Sequence, residues 1–178
     1  LDGLEAIDPA SVEKALSDRR SEVRASAVRL AERYLGADNP SIVKAVLALA
    51  EDRNWNVRRQ VAASIGELPA SARKDPALAM LRKSGSDPII VDAVVSGIAG
   101  AEEQVLGDLL HADAPQSSTS ESIVALAAAI TRSGDAAAVQ RLLALVTDGG
   151  RPAAERLAVL QGIDKVLPAS GGAGGRGG

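Results

Sequence analysis

Residues 18–31 read DRRSEVRASAVRLA, and residues 52–65 read DRNWNVRRQVAASI. In both stretches an Asp is followed five residues later by Val and then Arg, which relates Val23-Arg24 to Val57-Arg58 by an offset of 34 residues. Apolar residues then recur every three or four positions, the spacing of one face of a helix. The chain therefore contains an internal repeat whose unit ends in an amphipathic helix.

A shorter helix precedes each of these repeated helices. Asp and Asn are preferred N-cap residues, and Pro is tolerated at the first helical position because its missing N–H needs no partner there. We therefore predict helix starts at four pairs: Asp8-Pro9, Asn39-Pro40, Asp75-Pro76 and Asp87-Pro88. The expected core positions of the second unit are Val43, Val46, Leu47 and Leu49 in its first helix, and Val57, Val61, Ile65 and Leu68 in its second helix, which Pro69 ends.

The pattern weakens beyond Gly100, but paired helices are still predicted. The expected helices run over residues 102–110, 120–132, 135–146 and 152–167, with the longest loop at residues 112–120, which are rich in Pro, Ser and Thr. This gives an all-α fold of about five helix pairs at residues 1–168. Six of the ten residues at 169–178 are Gly, and this stretch is predicted to form a flexible linker or tail.

The composition excludes several classes of function. The chain has 178 residues and no cysteine, which rules out disulfides, thiolate nucleophiles and cysteine-based metal or haem sites in this segment. Its formal net charge of −3 disfavours nucleic acid as a partner, and no apolar run is long enough to insert in a membrane. We expect no cofactor and no bound metal.

The repeated pattern resembles the second helix of HEAT repeats. The residues that carry the resemblance are Asp18, Val23, Arg24 and Ala27, followed by Asp52, Val57 and Arg58. The resemblance implies a right-handed α-α superhelix, an α-solenoid, in which neighbouring helix pairs stack to bury one continuous core. It is close over residues 8–100 and looser over residues 101–168.

Two further stretches, 87–98 (DPIIVDAVVSGI) and 156–163 (RLAVLQGI), resemble the HEAT segment of large bacterial exported proteins. Those proteins join a sorbosone- or glucose-dehydrogenase-like β-propeller, helical repeats and a c-type cytochrome domain. The resemblance implies that this chain is a fragment of a larger periplasmic or exported oxidoreductase. The catalytic chemistry would then lie outside these residues.

Five residues of the first two repeats form the candidate interaction surface: Arg24, Arg29, Trp55, Arg58 and Arg59. The arginines could bind an acidic partner, or they could pair with Asp18 and Asp52 in an Asp/Arg ladder between successive turns. Trp55 could anchor a partner or cover the ends of neighbouring helices. Residues 1–83 hold 14 Lys or Arg against 12 Asp or Glu, so this half is close to neutral.

No catalytic constellation is evident. His111 stands alone and is explained by the preference for a positive side chain near a helix C-terminus. Glu102 and Glu103 are adjacent on a helix, so they point in different directions and do not form an acid–base pair. The predicted function is a non-catalytic scaffold that docks proteins or flanking domains. The alternatives are a nucleic-acid-binding HEAT module that uses the arginine-rich repeats and, less favoured for lack of a nucleophile, a tetrapyrrole-lyase-like enzyme.

Overall fold

The computed structural model of the chain describes residues 8–36, 38–111 and 116–167. These residues form ten α-helices and no strand, which confirms the all-α fold. The helices are α1 (Pro9–Leu16), α2 (Ser21–Ala31), α3 (Pro40–Ala48), α4 (Trp55–Ser64), α5 (Ala70–Ser84), α6 (Pro88–Gly97), α7 (Glu102–Leu110), α8 (Gln116–Arg132), α9 (Ala136–Thr147) and α10 (Ala153–Asp164). Short 3₁₀ turns follow α2, α3 and α4.

The helices pair in chain order and stack in two layers. The second helices of the pairs pack directly on one another, α2 on α4, α4 on α6, α6 on α8 and α8 on α10. In the layer of first helices, α1 packs on α3 and α5 on α7, whereas α3 makes few contacts with α5 and α7 few with α9. The second helices therefore form the more closely packed layer.

Three of the four predicted Asx-Pro helix starts are confirmed. Asp8, Asn39 and Asp87 are the N-caps of α1, α3 and α6, and each is followed by Pro at the first position. The prediction at Asp75-Pro76 is wrong, because Pro76 lies inside α5 and the helix begins at Ala70. Pro69 provides the break that precedes α5, and the helix continues through Pro76 without that residue's backbone N–H.

The predicted loop at residues 112–120 is also wrong in part. Helix α8 begins at Gln116, four residues before the expected start, and Thr119 and Ser122 are buried in it. Ser and Thr lower helix propensity only modestly, so tertiary burial of one helix face decides the structure here. Residues 112–115 and the predicted Gly-rich tail at 169–178 lie outside the described residues.

The core runs through the whole stack as one cluster. Val57, Val61, Ile65 and Leu68 are buried as predicted. In α3 the prediction needs a correction, because Ile42 and Val46 fill the core while Val43 and Leu47 line an open apolar groove between α3 and the start of α5. That groove exists because the first helices are spaced more widely than the second helices.

Close approach of α10 to α8 depends on a glycine. A Cβ placed on Gly162 would lie 2.5 Å from both the Ala127 Cβ and the Val124 carbonyl oxygen. Because the obstruction on one side is backbone, a side chain at this position forces the two helices apart. Gly97, the last residue of α6, has a similar role, since a Cβ there would lie 3.0 Å from the backbone nitrogen of Gly66.

The Gly162→Ala substitution is expected to lower the free energy of unfolding by about 1–3 kcal/mol, because the added methyl group overlaps α8. Gly107 is the matched control, since it lies inside α7 and a Cβ there would meet nothing within 4 Å. Gly107→Ala should raise the free energy of unfolding by about 0.5–1 kcal/mol through helix propensity. Chemical denaturation followed by circular dichroism measures both, and equal effects of the two substitutions would contradict the helix-contact explanation.

Candidate interaction surface

Arg24, in the first turn of α2, and Asp52, in the turn before α4, connect the first two repeats. Arg24 Nε donates to Asp52 Oδ2 at 2.7 Å, and Arg24 Nη2 donates to Asp52 Oδ1 at 2.8 Å. This is a bidentate pair, the geometry in which guanidinium and carboxylate bind most specifically. The two side chains are only 17% and 7% exposed, so Arg24 faces the next repeat and not the solvent.

The same pair also organises the two turns. Arg24 Nη1 donates to the Asp18 carbonyl oxygen at 2.9 Å, and Asp52 Oδ1 accepts from the Asn54 backbone N–H at 2.8 Å. Hydrogen bonds from Arg24 hold the pKa of Asp52 below its usual value and outweigh burial, which acts to raise it. Asp52 therefore stays ionised at neutral pH.

Arg58 has the position of Arg24 in the next repeat but does not reproduce its ion pair. Its Nη1 donates to the Asp52 carbonyl oxygen at 2.9 Å, as Arg24 does to Asp18. Its guanidinium also stacks on the Trp55 ring, 3.7 Å from the ring centroid. Trp55 is the first residue of α4 and remains 45% exposed. An arginine and the large aromatic residue thus form a stacked pair at the surface.

Arg59 makes the second connection of the ladder. Its Nε donates to Asp87 Oδ2 at 2.9 Å. Asp87 is itself the N-cap of α6 and accepts from the Ile89 backbone N–H. Burial acts to raise the pKa of Asp87, but hydrogen bonds from Arg59 and the α6 backbone together lower it. Asp87 lies four residues before Val91, whereas Asp52 lies five before Val57, and its partner is Arg59, one residue after the repeat position.

Further ion pairs join the later repeats. Lys74 Nζ lies 2.8 Å from Asp108 Oδ2, joining α5 to α7, and Arg141 forms a bidentate pair with Glu103, joining α9 to α7. These pairs are more exposed than Arg24–Asp52 and contribute less to stability. Ion pairs therefore connect neighbouring repeats at several points along the stack.

The predicted surface residues fall into two groups. Arg24 and Arg59 are bound to aspartates, so they belong to the ladder that the sequence offered as an alternative. Arg29 is exposed on α2, while Trp55 and Arg58 stack on each other. Trp55, Arg59 and Pro88 line an open recess between the starts of α4 and α6. Whether these residues bind a partner stays a prediction.

A larger groove crosses the layer of second helices between α6, α8 and α10. Its volume is about 670 Å³. Val91, Val124, Ala125 and Ala128 form an apolar floor, and charged residues of both signs form the rim: Asp92, Glu121, Arg132, Asp164 and Lys165. The sequence analysis missed this groove because its lining comes from three separate repeats, and no single stretch shows it.

The described residues show no arrangement of catalytic groups. Glu102 accepts from the Gly100 backbone N–H and Glu103 binds Arg141, so the two carboxylates are separated as predicted. His111 is the C-cap of α7, and its Nδ1 contacts the Gly107 carbonyl oxygen. Within residues 8–36, 38–111 and 116–167, no three or more His, Asp or Glu side chains come together in a way that could hold a metal ion. Among the same residues, no helix has both the length and the apolar content of a membrane span.

Comparison with protein families agrees with this architecture. The sequence profile of HEAT repeats matches residues 9–99, just over half of the chain. The chain belongs to the HEAT-repeat family. HEAT repeats are generally protein-interaction scaffolds and are typically non-catalytic. Comparisons with curated proteins and with solved structures find no significant match, so the resemblance to sorbosone- and glucose-dehydrogenase-like proteins has no support beyond the two stretches that suggested it.

The Asp52→Asn substitution is expected to lower the free energy of unfolding by about 1–3 kcal/mol, because it leaves the partly buried Arg24 without its carboxylate. Glu51→Gln is the control. Glu51 pairs with Lys83 at the surface, where both side chains are more than half exposed, so its loss should change stability little. Thermal and urea unfolding compare the two, and a similar loss for both would contradict a special role of Asp52.

The contribution of Asp52 should depend on pH. A carboxyl group whose pKa is lowered on folding stabilises the protein above its unfolded pKa of about 3.9, and the stabilisation is lost as the pH falls through its folded pKa. The difference in unfolding free energy between the wild type and Asp52→Asn should therefore be constant from pH 7 to about 5 and shrink below about 4. Urea titrations at several pH values measure it, and a constant difference down to about pH 2 would contradict this linkage.

Proposed function

We propose that this HEAT-repeat chain is a non-catalytic docking scaffold, and that the groove between α6, α8 and α10 holds an extended segment of another protein or of a flanking domain. The groove is open to solvent and, at about 670 Å³, large enough for several side chains. Its apolar floor supplies the affinity for such a segment, and its charged rim supplies the orientation. This groove is the observation that carries the proposal.

The charge pattern of the rim favours a protein segment over a polyanion. Asp92, Glu121 and Asp164 on the rim repel phosphate, while Arg132 and Lys165 attract it. A bound segment with charges of both signs satisfies both groups. In the first two repeats, Arg24 and Arg59 already have carboxylate partners, which reduces their attraction for the phosphates of a nucleic acid.

The narrower interpretation concerns the parent protein. Residues 87–98 and 156–163 suggested the HEAT segment of an exported dehydrogenase- or cytochrome-like protein. In such a protein the scaffold would fix the distance between the dehydrogenase-like propeller and the cytochrome domain, and these domains would be its partners. This placement stays a prediction, which the full reading frame around the coding sequence tests directly.

Selection of peptides from a random phage-displayed library against the immobilised chain tests the groove. Selected peptides are expected to lose roughly tenfold or more in affinity for an Asp92→Lys/Glu121→Lys double variant, because two rim charges change sign. The matched control is Glu13→Lys/Glu67→Lys, which changes the net charge equally at exposed positions outside the groove. Fluorescence anisotropy measures the dissociation constants.

Equal affinity of the selected peptides for the groove variant and the control would contradict the proposed site. Binding of DNA or RNA that weakens steeply with salt and depends on Arg29 would instead support the nucleic-acid alternative. The absence of measurable nucleic-acid binding at low salt concentration removes that alternative.

A further inference from the structure

Trp55 is a large aromatic side chain that the stacked repeats leave at the surface. It is 45% exposed, whereas Val57, two positions later, is fully buried. The Arg58 guanidinium lies over the indole, 3.7 Å from the ring centroid, and Arg58 Nη1 is itself bound to the Asp52 carbonyl oxygen. The ring is therefore held in place before a partner binds, which lowers the entropic cost of binding against it.

The recess beside Trp55 opens between the starts of α4 and α6 and has a volume of about 460 Å³. Its lining consists of Trp55, Arg59, Ser86, Asp87 and Pro88. Arg59 is paired with Asp87, so these two side chains form a neutral polar wall, while the rings of Trp55 and Pro88 form apolar walls. Such a lining favours a large apolar or aromatic side chain over a charged one.

Pro88 joins this recess to the groove between α6, α8 and α10. It is exposed, and it lines both the recess and the groove. The next groove residues of the same helix, Val91 and Asp92, follow one turn further along α6. The recess and the groove are therefore neighbouring parts of one surface.

This surface lies inside the stack and not at its end. Helix α4 packs on α2 and on α6, and α6 also packs on α8. The sides of α4 and α6 on which neighbouring repeats pack are thus already occupied. A further helix pair of a longer stack has no place to pack over the recess, so a partner of another kind is needed to cover Trp55.

Carboxylates lie next to the recess along this surface. Asp92 on α6 and Glu121 on α8 are exposed on the rim of the groove, and within the described part of the chain neither forms an ion pair. Asp52 and Asp87, in contrast, each bind an arginine. An apolar recess followed by exposed carboxylates favours a partner in which Lys or Arg follows a large apolar residue.

The spacing of the helices sets the length of such a segment. Packed helices lie about 8–10 Å apart, so a path from α4 to α10 crosses three spacings, or about 24–30 Å. An extended chain advances about 3.3 Å per residue and covers this path with about seven to nine residues. The groove alone, from α6 to α10, takes about five or six residues.

We propose that the recess at Trp55 is the end pocket of the groove. An extended partner segment of about eight residues places a large apolar or aromatic residue against Trp55 and Pro88, and a Lys or Arg about three residues away faces Asp92. This inference rests on the docking function proposed for the groove and adds the chemistry of the segment that the groove selects. Trp55 then serves recognition, while Arg59 serves stacking.

Shortening of selected peptides tests the end pocket in the unmodified protein. Peptides are selected against the immobilised chain from a random phage-displayed library that lacks tryptophan, and are then shortened one residue at a time from each end. Trp55 is the only tryptophan of the chain, so its fluorescence reports contact with the recess. Removal of the apolar end residue should abolish the change in Trp55 emission and weaken binding roughly tenfold, while the remaining residues still bind the groove.

Substitutions test the same contacts from the side of the protein. Trp55→Ala is expected to weaken the intact peptide roughly tenfold or more and to leave the peptide without its apolar end residue unaffected. Leu143→Ala is the matched control, since Leu143 is also 45% exposed but lies on α9, outside the recess and the groove. Asp92→Lys should weaken both peptides, and exchange of the peptide's Lys or Arg for Glu should restore binding to that variant. Circular dichroism checks that the variants remain folded.

The outcomes separate the end pocket from the groove. Peptides that lose affinity for Asp92→Lys/Glu121→Lys, but neither change Trp55 emission nor respond to Trp55→Ala, would overturn the end pocket and leave the groove function intact. Peptides that depend on Trp55 but not on Asp92 or Glu121 would contradict the groove function and the continuous path together. Affinity that depends on both sets of residues, with an emission change lost on removal of the apolar end residue, supports the proposal.

Discussion

Direct packing of each second helix on the next is the constraint on which the structure depends. A single helix pair has one apolar stripe that it cannot cover alone, so burial requires neighbouring pairs to approach closely. The approach is closest where backbone meets backbone, at Gly66 and Gly97 and at Gly162 against α8. The first helices are less closely packed than the second helices, since α3 makes few contacts with α5 and α7 makes few with α9.

The ion pairs form between helices that apolar packing already holds close together. Arg24 reaches Asp52 because α2 and α4 lie side by side, and the bidentate geometry then favours one register of the two turns. Arg59, and not Arg58, makes the next connection, to Asp87. Arg24, Asp52, Arg59 and Asp87 thus connect stacked repeats, and the groove between α6, α8 and α10 is the surface for which recognition is proposed.

The sequence predicted the helix pairs well because each prediction rested on local chemistry. Asp8 and Asp87 accept backbone N–H groups of the helices they cap, and Asn39 has the N-cap position of α3 without a side-chain hydrogen bond. It was wrong at Pro76 and at the start of α8, where burial of one helix face overrides a residue type that disfavours helix. The groove could not be located from local pattern alone, because its lining residues come from three repeats that only the fold brings together.

Hydrogen–deuterium exchange of the chain with and without a selected groove-binding peptide is the most direct test of the docking account. The account predicts new protection in α6, α8 and α10 and no change in α1 to α3. It also predicts unchanged exchange around Arg24 and Asp52, since those groups are already bound to each other. Protection centred on Arg29, Trp55 and Arg58, with none along the groove, would contradict the claim that the groove is the docking site.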